Sequence, residues 1–189
     1  MVLPVYLYGH PVLRKVAQDI DSSYEGLDEL LKNMWETMYS SDGIGLAAPQ
    51  VGLSDRIVVI DADPVSDVFP ELKGIKLTLI NPRVEVIEDG KVVSRDEGCL
   101  SLPGISESVT RTEKIKLTWQ DEKFEKHEQV FEGFLSRIIQ HECDHLEGLV
   151  FTDHISLIRK QLIRNKLNNI VNGKVRCSYK TRGYSKKKH

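Results

Sequence analysis

Residues 140–145 read Gln-His-Glu-Cys-Asp-His, which is a His-Glu-x-x-His motif inside a segment that is predicted to be helical. Side chains four residues apart lie on the same face of a helix, so His141 and His145 can both bind one metal ion. Glu142 stands between them and is close enough to transfer protons for a water held by that ion. The stretch therefore predicts a helix that carries two ligands of a catalytic metal site.

The third protein ligand that such a site usually has is not found downstream of the motif. Gly148 occupies the position of the glycine in zincins with a third histidine, but Phe151 stands where that histidine would be. His154 is off this spacing, and no acidic residue follows Asp153. Cys99, in the turn-forming stretch Glu-Gly-Cys-Leu-Ser, is the best remaining ligand, although a lone cysteine is often only a small buried apolar residue. A thiolate and two imidazoles would form a tetrahedral site with one open position.

The remaining sequence predicts a single α+β domain, with antiparallel or mixed sheets around the motif helix and a further C-terminal helix. Predicted helices cover residues 22–41, which begin with a capping box, the motif segment as far as Gly148, and residues 156–171, with Leu162, Ile163, Leu167 and Ile170 on the inner side. Predicted strands cover residues 56–61 and 115–119, and a hairpin joins residues 84–88 to 91–95 through Asp89-Gly90. Residues 62–74 are interpreted as a surface insertion.

Length and composition are those of one soluble globular domain: 189 residues, 40% hydrophobic and 29% charged. The N-terminal residues show no apolar segment of the signal-peptide type, and no apolar run approaches the roughly 20 residues of a membrane span. Three cysteines without a secretory context favour reduced thiols. These features predict a cytoplasmic protein with no membrane partner.

Charge is distributed unevenly along the chain, although the net value is only -2. Residues 155–189 contain 11 Lys or Arg and no Asp or Glu, whereas residues 1–154 contain 15 basic and 28 acidic residues. An acidic body with a basic tail favours a polyanionic partner for the tail. We interpret residues 1–171 as the catalytic domain and residues 172–189 as a basic C-terminal extension.

Three segments together resemble the peptide deformylase family, and they occur in the family's order. Residues 43–50 (GIGLAAPQ) are similar to its GxGxAAxQ motif, residues 97–101 (EGCLS) to its EGCxS motif, and residues 140–145 (QHECDH) to its QHExDH motif. The resemblance spans about residues 4–166, and Leu-Pro-Gly at residues 102–104 is similar to the type 1 branch. It implies removal of the N-terminal formyl group from formyl-methionine of nascent polypeptides, with release of formate.

The resemblance also implies the roles of individual residues. Cys99, His141 and His145 are expected to bind the metal, and Glu142 is expected to be the general base and acid. The Gln50 side chain and the Leu100 backbone N–H are expected to form the oxyanion hole; these six residues are the catalytic and metal-binding set. Ligand chemistry alone favours zinc, whereas the resemblance implies Fe(II) as the physiological ion, with Ni, Co or Zn able to occupy the site.

Five further residues are candidates for substrate binding. Gly43 and Gly45 lack a Cβ atom, so a peptide backbone can approach this loop and pair with it, although a helix C-cap and turn would explain the glycines equally well. Ile44, Phe134 and Ile138 are candidates for an apolar pocket that accepts methionine. Packing in the protein core is the alternative explanation for these three side chains.

Two other functions remain open on the sequence alone. A zincin-type metalloendopeptidase would use the same helix motif but would leave Cys99 without a role. A closed structural metal site would bind the ion without turnover. Glu142→Ala would abolish activity in an enzyme and leave the function of such a structural module intact.

The basic extension has two interpretations, a solvated chain end and a segment that docks to ribosomal RNA near the exit tunnel. The second follows from the charge asymmetry and from the co-translational role that the resemblance implies. Deletion of residues 172–189 is expected to weaken ribosome binding in a salt-dependent manner. The same deletion is expected to spare turnover of a short formyl peptide.

Overall fold

The computed structural model describes residues 1–88 and 91–184, which form an α+β domain. Its helices are α1 (Leu27–Ser40), α2 (Gly133–Leu146) and α3 (Leu157–Val171). Its strands are β1 (Val5–Tyr6), β2 (Gly45–Ala47), β3 (Ile57–Asp61), β4 (Lys76–Val86), β5 (Val92–Gly98), β6 (Ser106–Thr112), β7 (Lys114–Gln120), β8 (Lys126–Glu132) and β9 (Thr181–Arg182). None of the helices within these ranges has both the length and the apolar character of a membrane span.

Within the described residues the strands form three sheets. The largest has five antiparallel strands in the order β2-β3-β4-β7-β8, and β5 and β6 form a separate antiparallel pair. The short strands β1 and β9, from opposite ends of the chain, pair in parallel. Helix α2 packs against strands of the large sheet. This architecture confirms the predicted α+β class, the central motif helix and the further C-terminal helix.

The apolar face of α2 explains why this segment is helical and where it lies. Leu135, Ile138, Ile139 and Leu146 are buried at helical spacing against Ile115 and Leu117 of β7, Val58 and Ile60 of β3, and other core residues. Burial of each such side chain contributes about 1.5–3 kcal/mol relative to exposure. After α2, Gly148 has φ +71° and lies against the backbone of Arg14, so the predicted end of the helix is confirmed.

The predicted hairpin between residues 84–88 and 91–95 is wrong. Its proposed turn, Asp89-Gly90, lies outside the described residues, but the flanking strands belong to different sheets. Residues 84–86 pair with residues 115–117 of β7, and all of β5 pairs with β6. The reason is packing: Ile115 and Leu117 are completely buried beside β4, whereas Val92 is 64% exposed. Burial of the β7 face therefore outweighed the local turn signal.

Three other local expectations also need correction. Helix α1 begins at Leu27 instead of Ser22, because Gly26 adopts a left-handed conformation (φ 76°) that excludes an earlier helical turn. The predicted inner position of Leu162 is wrong, since this side chain is 66% exposed, although Ile163 and Ile170 are buried as predicted. Residues 62–74 are not purely a surface insertion: they form two short 3-10 helices, and Leu72 is buried in the core around α2.

Candidate metal centre and the adjoining cleft

Three potential metal ligands meet where α2 packs against the turn that follows β5. The ligand atoms of Cys99, His141 and His145 all lie within 4.8 Å of one another. The Cys99 Sγ is 3.3 Å from His145 Nε2, and the two imidazole rings are nearly perpendicular at a centroid distance of 5.4 Å. The two histidines come from one face of α2, and Cys99 lies 42 residues before His141 in the chain. The structure therefore brings together the three ligands proposed from the sequence.

A buried ion-pair cluster holds the His141 ring in place. Glu97, the last residue but one of β5, accepts hydrogen bonds from His141 Nδ1 at 2.9 Å, from Arg111 at 2.7 and 3.0 Å, and from Arg137 at 2.7 Å. Burial raises the pKa of Glu97, but hydrogen bonds from His141 and Arg111 outweigh it and lower the pKa to about 2. Glu97 is therefore a carboxylate that fixes the orientation of His141.

Glu97, Arg111 and Arg137 are not among the functional residues predicted from the sequence. One signal for Arg137 was present, because it lies four residues before His141 and so shares its face of α2. Arg111 reaches Glu97 only because β6 pairs with β5, with Glu97 opposite Glu107 in the register. This contact depends on the pairing of β5 with β6, which no local sequence pattern indicates.

The chemistry of the donor set fits a divalent transition-metal ion. Burial raises the pKa of the Cys99 thiol, but the imidazoles of His145 and His141 outweigh it and lower the pKa to about 5. A thiolate with two imidazoles is a ligand set suited to Zn, Fe, Ni or Co. In addition, Glu142 Oε2 is buried and has no hydrogen-bond partner among the described residues. Buried polar atoms nearly always have a hydrogen-bond partner, so this oxygen is expected to bind a water or substrate group held at the three potential ligands.

Glu142 lies in a close-fitting pocket formed in part by Gly45. Its side chain is 5% exposed, and burial raises the pKa of the carboxyl group to about 7. A Cβ atom added at Gly45 would be only 2.7 Å from Glu142 Cδ. Glycine is therefore needed at this position of β2, because any larger residue would displace the Glu142 carboxyl group.

Gln50 and the turn after Cys99 form the other side of the centre. Gln50 Oε1 accepts a hydrogen bond from the Ala47 backbone at 2.9 Å, so its amide nitrogen points toward Cys99 Sγ and Ser101 Oγ, each at 3.4 Å. Leu100 is the second residue of a turn that is closed by a hydrogen bond from Leu102 N to Cys99 O at 2.9 Å. The Gln50 amide is thus close to the Cys99 sulfur, and Leu100 directly follows Cys99 in this turn.

A cleft of about 710 Å³ opens beside this centre. Of the residues proposed from the sequence, only His145 does not line this cleft, because it is buried. The ten that line it are Gly43, Ile44, Gly45, Gln50, Cys99, Leu100, Phe134, Ile138, His141 and Glu142. Phe134 stacks on Phe69 of the 62–74 segment, with ring centroids 4.3 Å apart. Residues 176–179 of the basic extension also line the cleft, a position that was not predicted from the sequence.

A thiolate, two imidazoles and a buried carboxyl group beside an open cleft are features of a metal-dependent hydrolase. Comparison with known proteins agrees with this class. The polypeptide deformylase family model matches residues 2–161. The chain therefore belongs to the polypeptide deformylase family.

Similar proteins and structures have the same family name. The peptide deformylase of Flavobacterium psychrophilum is 46% identical, with 100% of each chain covered, and that of Salinibacter ruber is 44% identical, with 95% of this chain and 93% of the other covered. Among solved structures, plant peptide deformylase PDF1B has a TM-score of 0.80 at 35% identity, covering 91% of this chain and 90% of the other. The Thermus thermophilus enzyme has a TM-score of 0.78 at 36% identity, covering 89% of this chain and 97% of the other.

Family membership establishes the reaction. The chain is a metal-dependent hydrolase that removes the N-terminal formyl group from nascent polypeptides. The metalloendopeptidase alternative is not favoured, since it would leave Cys99 unused beside His141 and His145.

Proposed function

We propose that Cys99, His141 and His145 bind one divalent ion and that Glu142 moves the protons of deformylation. The observation that carries this proposal is the grouping of three ligand atoms within 4.8 Å beside the buried, unpartnered oxygen of Glu142. When bound, the ion supplies Lewis acidity and lowers the pKa of water from 15.7 toward about 7. Proton transfer and stabilisation of the developing charge are carried out by side chains and backbone groups of the cleft.

Glu142 acts as both base and acid in this proposal. It accepts a proton from the attacking water as the water oxygen approaches the formyl carbon, and it then donates a proton to the departing amine. A pKa raised to about 7 suits both steps, because the carboxyl group can be found in either protonation state near neutral pH. Closeness to Gly45 keeps the carboxyl group in one position during these transfers.

Gln50 and Leu100 are proposed to stabilise the charge that develops on the formyl oxygen. The Gln50 amide is oriented by its bond to the Ala47 backbone, and the Leu100 N–H belongs to the turn that follows Cys99. Two donors that are already oriented need little rearrangement during the reaction. Loss of one such donor typically costs about 10²–10³ in rate.

The substrate is proposed to bind along the residue 43–45 loop. Gly43 and Gly45 leave the backbone accessible for pairing with an extended peptide. Ile44, Phe134 and Ile138 supply an apolar surface for the methionine side chain, and all three line the cleft. Stacking on Phe69 fixes the ring of Phe134 on this side of the cleft.

We propose Fe(II) as the physiological ion, with Zn, Ni or Co able to replace it. Ferrous iron beside a thiolate is sensitive to oxygen, which agrees with a cytoplasmic location and with three cysteines that are all free. Metal analysis of protein purified without oxygen tests this choice. One Fe per chain is the expected result, and a full complement of Zn with full activity would contradict it.

Formate release from a formyl-Met-Ala peptide tests the proposed function. The expected result is one formate for each peptide consumed, with the peptide bonds intact by mass spectrometry. Cys99→Ala is expected to abolish this turnover. Cleavage of a peptide bond that survives in Cys99→Ala would instead indicate a zincin-type peptidase.

We also propose that the basic C-terminal region contacts ribosomal RNA. Arg164 and Lys166 are exposed on α3, in the part of the chain that has 11 basic and no acidic residues. Replacing both with alanine is expected to weaken ribosome binding at low salt and to leave turnover of a short peptide unchanged. Lys123→Ala with Lys126→Ala, two exposed residues on the acidic body, is the matched control. Equal ribosome affinity of the two double variants would refute this contact.

A further inference from the structure

The segment that follows α3 turns back across the body of the protein and reaches the active-site cleft. Residues 176–179 line the cleft, and the next residues form β9. Backbone hydrogen bonds from Val5 N to Lys180 O (2.8 Å) and from Leu7 N to Arg182 O (2.9 Å) attach this segment to the N-terminal strand β1. The first part of the basic extension is therefore packed against the domain.

Tyr179 joins this segment to the turn at residues 99–102. Its hydroxyl donates a hydrogen bond to the Leu100 carbonyl oxygen at 2.7 Å. Within residues 1–88 and 91–184, Tyr179 is the hydrogen-bond donor to this oxygen, and its side chain is half-buried. The contact joins residues that are 79 positions apart in the chain.

The N-terminal segment holds the neighbouring carbonyl of the same turn. Tyr8 N donates to Ser101 O at 2.8 Å, so two successive carbonyl oxygens of the turn at residues 99–102 are each bound by one end of the chain. The Leu100 N–H shares its peptide plane with Cys99 O, and the Leu100 carbonyl lies in the next plane, across the Leu100 Cα atom. Leu102 N binds Cys99 O and Tyr179 binds Leu100 O, so both peptide planes beside this Cα are held, which restricts the backbone rotations that would reorient the Leu100 N–H. The pairing of β1 with β9 connects the N-terminal segment, which binds Ser101 O, to the segment that carries Tyr179.

We propose that residues 176–179 form a functional wall of the peptide cleft and that Tyr179 is a positioning residue for the Leu100 N–H. This inference rests on the proposed oxyanion role of Leu100. Tyr179 binds the turn from the side of its carbonyl group, and the turn presents its N–H to the formyl oxygen. The reaction thus depends on a side chain close to the C-terminus that does not itself bind the reacting atoms.

Tyr179→Phe tests the inference, because it removes the hydroxyl group and keeps the ring. The loss of one neutral hydrogen bond predicts a decrease in kcat of about two- to tenfold. KM for a formyl-Met-Ala peptide is expected to change by less than about twofold, because the oxyanion contact is stronger in the transition state than in the bound substrate. Metal content and Tm are measured on the same samples and are expected to match the wild type.

Tyr184→Phe is the matched control on the same segment. The Tyr184 ring is edge-on to His10 at a centroid distance of 6.0 Å, and its hydroxyl has no hydrogen-bond partner among the described residues. Wild-type kcat in this variant, together with a lower kcat in Tyr179→Phe, would support the positioning role. Equal kcat in the two variants, or an effect of Tyr179→Phe confined to KM, Tm or metal content, would overturn it. Absence of formate release by the wild type would instead refute the proposed function itself.

The same inference changes the expectation for a truncated chain. Deletion of residues 172–189 removes Tyr179 together with the basic charges, so turnover of short peptides is no longer expected to be spared. The kcat of the truncated enzyme is expected to fall at least as far as that of Tyr179→Phe. A truncated enzyme with wild-type kcat would contradict the inference.

Discussion

The two sides of the active-site cleft are built in different ways. Helix α2 supplies His141, Glu142 and His145 from five consecutive residues, and its geometry alone places them side by side. The opposite side combines the residue 43–45 loop, the turn after β5 and residues 176–179, which meet only through strand pairing and long-range contacts. The difference shows that local periodicity can encode the proposed ligand pair, whereas the position of the proposed donor Leu100 depends on the fold around it.

The largest loss of metal and activity is expected for Cys99, the proposed ligand that α2 does not supply. Cys99→Ala is expected to reduce metal content from about one ion per chain to near zero, since two imidazoles remain. Turnover should fall by about 10³-fold or more, because the ion contributes several kcal/mol to the barrier. Elemental analysis and formate release check both expectations.

Cys143→Ala is the control for this variant, because Cys143 is buried on α2 and lies outside the ligand cluster. It is expected to retain the metal. Equal metal loss in the two variants would show that Cys99 is not the third ligand.

A smaller decrease in kcat is expected for Gly45, which contacts Glu142 of α2. In Gly45→Ala the added methyl group would collide with the Glu142 carboxyl group, 2.7 Å from its Cδ atom. A displacement of about 1 Å at a catalytic group can cost about 10²-fold in kcat, and this is the decrease we expect. Gly183→Ala, where a Cβ atom would meet open space, serves as the control. Wild-type kcat in Gly45→Ala would mean that this contact does not position Glu142.

The next effect concerns the ion-pair cluster behind His141. Glu97→Gln keeps the shape of the side chain but removes the charge that accepts bonds from His141 and Arg111. Metal affinity is expected to fall about 10–100-fold, measured by competition with a chelator. Glu107→Gln is the control, because this buried carboxyl group lies opposite Glu97 in the strand pairing but accepts its hydrogen bond from Arg159. Equal metal affinity in the two variants would show that Glu97 does not act by orienting His141.

The sequence predicted the α2 side of the cleft more completely than the other side. The His-Glu-x-x-His spacing and the apolar residues of the helix carry that information locally, and the position of the helix in the core is confirmed. Cys99 could be proposed because the downstream ligands were excluded and because the family resemblance includes its motif. These inferences did not require knowledge of the strand order.

The remaining features depend on pairings that no local pattern shows. The Asp89-Gly90 signal suggested a hairpin, but β5 pairs with β6, and only this pairing brings Arg111 to Glu97. Residues 172–189 are basic and lack apolar periodicity, so their sequence gives no indication that Tyr179 reaches Leu100. That contact follows from the pairing of β9 with β1, two strands of two residues each.

The most direct test of the account is formate release by the Fe(II)-loaded wild type and by Glu142→Gln, prepared without oxygen and with metal content measured on the same samples. Glutamine has nearly the same shape as glutamate but cannot exchange the proton. We expect one ion per chain in both proteins and a kcat that is lower in Glu142→Gln by about 10²–10⁴-fold. Wild-type kcat in a Glu142→Gln enzyme that holds its metal would contradict the account.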